Sequence, residues 1–154
     1  MGTKANVLVG VAAVTIDSVP VGYTVDGVTM TIRTELADIK VEELVGTINR
    51  TMTDQEVEVT MNLAEGTLAN LAAAIPGSTL LSSVLTLGGG TLQDVEIVIT
   101  GTKPGGGDRV ITLNNCNPTG EVGIPFKKGE ISVIPVTFKA LVADDGTFGD
   151  IDDS

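Results

Sequence analysis

Apolar and polar residues alternate with a two-residue period through most of this chain. Val28, Met30 and Ile32 alternate with Thr29, Thr31 and Arg33, and Val57, Val59 and Met61 with Glu56, Glu58 and Thr60. Val95, Ile97 and Ile99 follow the same rule against Asp94, Glu96 and Val98. That period places successive side chains on opposite faces of a strand, one toward a core and one toward water. The pattern predicts strands over Val7–Ile16, Val21–Thr24, Val28–Leu36, Ile39–Val41, Gln55–Met61, Thr79–Leu87, Leu92–Thr100, Arg109–Asn115, Gly120–Phe126 and Ile131–Leu141. Asp26-Gly27 between two apolar runs reads as a hairpin turn, and Gly88-Gly89-Gly90 and Thr102–Asp108 read as loops. Pro135 lies inside the last strand; lacking an N–H, it argues for a place at a boundary of the sheet.

One segment, Asn62 to Ile75, breaks the alternation. Asn62-Leu63-Ala64-Glu65 has the character of a capping box, with Asn62 accepting from the first free N–H groups and Glu65 reaching back. Leu68, Leu71 and Ile75 then fall at helical spacing on one face, with Ala72 beside them, and Pro76-Gly77 ends the helix. Burying those three large side chains contributes about 1.5–3 kcal/mol each, which seats the helix on a sheet but does not cover both faces of one.

Two segments have no clear period. Glu42 to Asp54 reads as an extended arm or a long hairpin, with Val45, Ile48 and Arg50 as its candidate contact residues. A loop of that length in a compact domain is usually functional or disordered. Residues 143–154 form an acidic tail with five aspartates and no base, expected to fray. The expected fold is mainly β: an antiparallel β-sandwich or partly open barrel with one flanking α-helix, in a single domain over residues 1–154. One helix covers only part of a sheet, so the remaining edges and apolar faces need another partner, and a copy of the same chain is the simplest.

Composition narrows the function. At 154 residues the chain suits one domain. Nine basic against twenty acidic residues give a net charge of −11, a surface that repels phosphate and disfavours nucleic-acid binding by counterion release. Histidine is absent, which removes Ser-His and Cys-His nucleophile activation and most zinc sites. The glycine triplets lack the Lys-Ser/Thr ending of a phosphate-binding loop. The aspartates after Ala143 do not fit an EF-hand, because Gly146 and Phe148 would fall at ligand positions. Cys116 has no neighbouring His or Lys to activate it and reads as an inert small residue near a turn. No apolar run reaches the roughly 18–20 residues of a membrane span, and the N-terminal run reads as strand rather than signal peptide. The expectation is a non-enzymatic chain with no cofactor, no metal and no membrane partner.

Three features carry a resemblance: Val19-Pro20-Val21-Gly22-Tyr23-Thr24-Val25-Asp26-Gly27-Val28; Glu56–Met61 running into Asn62-Leu63-Ala64-Glu65 and the Leu68/Leu71 helix; and Ile131–Leu141 followed by Asp144-Asp145-Gly146-Thr147-Phe148. Together they resemble the tail tube (major tail) proteins of long-tailed bacteriophages. The resemblance implies a virion protein, assembled in the host cytoplasm, whose subunits form six-membered rings stacked into a hollow tube. Its partners would be further copies of itself, with tape-measure and tail-terminator proteins, and DNA would pass through without specific binding. It further implies an acidic lumen lined by Glu56 and Glu58, or by Asp94 and Glu96, and stacking through the arm. A head decoration or tail completion protein shares these features. A cell-surface β-sandwich binding module would favour exposed Tyr and Trp, of which this chain has one and none. An acidic-residue hydrolase would need carboxylates converging in a cleft.

Overall fold

A computed structural model describes residues 12–119, 121–126, 128–130 and 132–153 of the chain. In chain order the elements are β1 (Ala13–Ile16), β2 (Val19–Pro20), β3 (Thr24–Lys40), β4 (Thr47–Leu63), α1 (Leu68–Ala74), β5 (Thr79–Leu81), β6 (Val84–Thr86), β7 (Val95–Thr102), β8 (Asp108–Thr119), β9 (Ile134–Ala140) and β10 (Gly149–Asp153). The fold is mainly β, antiparallel, with one helix among the described residues, and the sheet is not closed into a barrel. Eight strands form one sheet in the order β2-β1-β7-β8-β9-β4-β3, with β10 on β8; β5 and β6 form a separate small hairpin. The expected strand over 7–16 is described only from Ala12 onward, and Gly120, Lys127 and Ile131 lie outside the described residues.

The alternation seen in the sequence becomes the core. Val57, Val59, Met61 and Leu63 of β4, Ile97 and Ile99 of β7, Leu113 and Cys116 of β8, and Ile134, Val136, Phe138 and Ala140 of β9 are buried in one cluster with Val14 and Ile16 of β1. A side-chain period of two on a half-covered sheet demands this arrangement. Cys116 is fully buried, and desolvation pushes its thiol up to about 12, with the Asp94 charge adding to the shift. It is inert packing.

Several expected boundaries move. The helix is seven residues long, and Thr67, not Asn62, caps it, its hydroxyl accepting from the Asn70 N–H at 3.3 Å. Asn62 instead continues β4, opposite Val25 on one side and Pro135 on the other. Pairing on both edges outweighs a local capping signal. Glu65 accepts from the Tyr23 N–H rather than from its own helix; Gly22 allows this, because a side chain there would collide with the Glu65 carboxylate. The buried helical residues are Asn70 and Ala74. Of the expected packing face, Leu71 is half-buried against the core, Leu68 is exposed, and Ile75 is the C-cap. Asn70 anchors the helix by donating to the Val21 and Glu65 carbonyls, both at 2.8 Å.

Asp26-Gly27 makes no hairpin turn. Both residues have positive φ inside β3, where the register slips between Val25 and Val28; the backbone freedom that suits a tight turn also suits a bulge. Val21–Thr24 contributes only Thr24 to a strand, and Thr79–Leu87 divides into β5 and β6. Residues 121–126 form no strand. β9 is interior, between β8 and β4, and not at a boundary. Pro135 is tolerated because it precedes the part of β9 described as paired with β8, which runs from Thr137 to Ala140.

The acidic tail, expected to fray, forms a strand from Gly149 to Asp153. β10 pairs with β8 from Gly149 opposite Leu113 to Asp153 opposite Arg109. Gly149 is required at its start, since any side chain there would strike the Thr112 carbonyl. At its end Arg109 donates to both carboxylate oxygens of Asp153, at 2.6 and 2.8 Å. That hydrogen bonding holds the Asp153 carboxyl below the usual carboxylate range. A depressed pKa contributes stability that is full above the ordinary value and lost as pH falls through the depressed one. Acidification below about pH 4 is therefore expected to fray β10 before the rest of the sheet, read by amide exchange at residues 149–153. In Arg109→Ala the same amides should already exchange fast at neutral pH; equal protection in both proteins would show that the pair does not hold the strand.

Candidate functional site

The largest departure from a compact domain is the β3–β4 hairpin. Its strands pair over 17 residues each, from Thr24↔Leu63 at the base to Lys40↔Thr47 at the end. β9 supports β4 only from Glu58 to Leu63. Beyond that point residues 31–54 are all exposed, so a two-stranded ribbon roughly 30 Å long leaves the body. The expected arm over 42–54 is thus the outer strand and tip of a longer device. Val45 lies in the 41–46 connection, while Ile48 and Arg50 belong to β4.

The arm carries apolar residues that nothing covers: Leu36, Ile39, Leu44, Val45, Ile48 and Met52. Leu36 sits opposite Met52, continuing outward the face that Met30 and Val59 present to the core. Two register shifts, at Glu35/Leu36 and Ile39/Lys40, twist the ribbon. Arg50 pairs with Asp38 at 3.0 Å across it.

Strand edges are also left open. β3 ends the sheet, so its outer edge has no neighbour among the described strands, and β4 above Glu58 has a neighbour only on the β3 side. β10 pairs only with β8. Where the arm splits from the body, a cleft of about 320 Å³ opens between β3–β4 and β8–β10, lined by Met30, Ile32, Val57, Ile111, Leu113 and Phe148. Unpaired N–H and C=O rows beside exposed apolar side chains are a template for another chain.

The face away from the core has a different character. Register places Thr29, Thr60, Thr137 and Thr119 in one row across β3, β4, β9 and β8. The next row is Thr31, Glu58, Lys139 and Asn117. Of the four carboxylates expected on a lumen wall, Glu56, Glu58 and Glu96 come to this outer face, opposite in parity to the buried Val57, Val59 and Ile97. Asp94 precedes β7 and accepts from the Asn117 side chain. Two of the three are paired: Glu58 with Arg33 at 3.0 Å and Glu56 with Lys139 at 3.3 Å. Exposed pairs of this kind contribute about 0–1 kcal/mol, but Arg33 and Lys139 offset two of the three carboxylate charges on this face. The threonine row and the ion pairs escaped sequence reasoning because they depend on register between strands up to 83 residues apart.

Among the described residues no three Cys, Asp or Glu gather to hold a metal ion, and no helix is long and apolar enough to cross a membrane. No protein-family model matches the chain, and no curated protein matches it either.

Proposed function

We propose that this chain is the repeating subunit of a tubular assembly of the tail-tube kind, in which rings of copies stack through the arm and enclose a passage for DNA. The observation that carries this reading is the arm itself. A ribbon of roughly 30 Å with open edges and uncovered Leu, Ile, Val and Met side chains gains nothing in a lone molecule. In a ring, edge strands pair with those of neighbours, and exposed borders disappear. Six copies per ring follow the resemblance.

The outer face suits a conduit wall. Its threonine hydroxyls and internally paired charges offer no cluster of free cations, and each phosphate contact to such a cation would hold the passing strand. The net charge of −11 per copy adds repulsion of the same sign, kept local by screening over roughly 8 Å. Glu56, Glu58 and Glu96 are the candidate lumen-facing carboxylates. Tape-measure and terminator proteins would bound the tube at its ends. Negative-stain electron microscopy of concentrated protein is expected to show stacked rings or tubes with a stained central channel. A field of uniform single particles at every concentration would contradict the proposal.

A further inference from the structure

We infer that the free edge of β10 is a docking site for an extended basic peptide, which adds to the sheet as a strand. Its apolar side chains would enter the cleft beside β10, and its lysine or arginine side chains would stand over Asp150 and Asp152. A single subunit suffices for this, and the edge concerned is not the one that β3 offers to a further copy.

The sheet forks at this place. β9 and β10 run in the same direction along β8, β9 ending with Ala140 opposite Cys116 and β10 starting with Gly149 opposite Leu113. β10 therefore resumes the line of β9 after residues 141–148. β4 does not follow it. It pairs with β9 only as far as Glu58 and then leaves with the arm. No described strand takes the place beside β10 that a straight β4 would fill. Backbone N–H and C=O groups on such an edge are the usual anchor for an added peptide strand. β10 has 5 residues, so a strand of like length completes it.

Alternation sets what that strand must carry. Gly149, Ile151 and Asp153 lie opposite Leu113, Ile111 and Arg109, on the face toward the core. Asp150 and Asp152 lie opposite Thr112 and Val110, on the outer face. Every second residue of an added strand thus points into the cleft of about 320 Å³, toward Met30, Ile32, Val57 and Phe148. Valine, isoleucine or leucine suits those positions. The residues between them come beside Asp150 and Asp152, where an opposite charge is favoured and a like charge is not.

The local charge has one sign. Asp150 and Asp152 are exposed and have no ionic or side-chain hydrogen-bond partner among the described residues. Asp144 and Asp145, exposed in the turn that leads into β10, add to the same field. The nearest bases do not offset them: Arg109 donates to both oxygens of Asp153, and the Lys103 charge acts on that same carboxylate. Across the fork Arg33 is held by Glu58. Such an edge repels the arm tip of a second copy, which carries Glu42 and Glu43, and attracts a strand bearing lysines.

A short, end-capped, fluorescein-labelled peptide of alternating lysine and valine tests this, titrated by anisotropy against the full chain in dilute solution. Saturable one-to-one binding is expected, with amide protection gained at residues 149–153 in hydrogen exchange. A peptide of the same composition with its lysines in one block and its valines in another should bind about tenfold more weakly. Asp150→Asn/Asp152→Asn should weaken the alternating peptide by a similar factor, whereas Glu42→Gln/Glu43→Gln, an equal change of charge at the arm tip, should leave it unchanged. Equal binding of the block peptide, or equal loss in both variants, would overturn the inference in favour of bulk charge attraction. No saturable binding, or protection gained along residues 31–40 instead of 149–153, would overturn it outright. Neither result bears on whether tubes form, and tubes may fail to form while the peptide still binds.

Discussion

Replacing residues 35–54 by Asn-Gly is expected to leave a folded subunit that no longer forms tubes. The cut falls where Thr34 stands opposite Gln55, one pair before the register shift at Glu35/Leu36, and Asn-Gly supplies the positive φ values that a two-residue hairpin turn needs. Every large apolar residue removed is exposed, so no core contact is lost. The shortened chain should melt within a few degrees of the full one, since the buried cluster that holds the sheet together is untouched. Assembly should fall to background by sedimentation. Tubes of normal length would show that the stacking contact lies elsewhere; a collapse of the melting temperature would show that the arm folds back on the body.

Phe138→Ala should produce the largest loss of stability of any single aromatic change. Phe138 is 0% exposed in the middle of β9, opposite Val59 on β4 and Pro118 on β8. Removing a buried phenyl ring costs about 3–5 kcal/mol through lost transfer energy and the cavity left behind. For a domain of this size that corresponds to a drop of about 10 °C or more in Tm. Phe126→Ala makes the matched control, because Phe126 is 93% exposed and contributes nothing to the core. A thermal melt that moves equally for both would mean that the buried cluster around β9 is not the core.

The inward halves of the strands were legible in the sequence, and the reason is burial. β4 from Val57 onward, β7 and the stem of β3 alternate because one face meets the core. The outer arm shows no such period because neither face is buried there, so selection for alternation is absent and two bulges break the count. β10 was unreadable for another reason. Gly-Asp-Ile-Asp-Asp has little strand propensity; it is held by a ladder to β8 and by Arg109, 44 residues away. The helix was placed too early because Asn62 and Glu65 mimic a capping box, while the interaction that fixes α1, Asn70 with Val21, spans 49 residues and uses a polar side chain that no periodicity marks as buried. Among the candidate lumen residues, spacing within each strand separated Glu56, Glu58 and Glu96 correctly from the core face. It could not show that Arg33 and Lys139 would neutralise two of them, since that depends on neighbouring strands.

Hydrogen–deuterium exchange over a concentration series, with sedimentation on the same samples, reaches the central claim most directly. That claim is that the open borders of β3 and of the upper part of β4 are completed by other copies. Amides of residues 31–40 and 47–57 are expected to exchange faster in dilute protein than those of β8 and β9, and to gain protection as large particles form. A chain that sediments as one compact particle at all concentrations, with exchange along the arm unchanged, would contradict it.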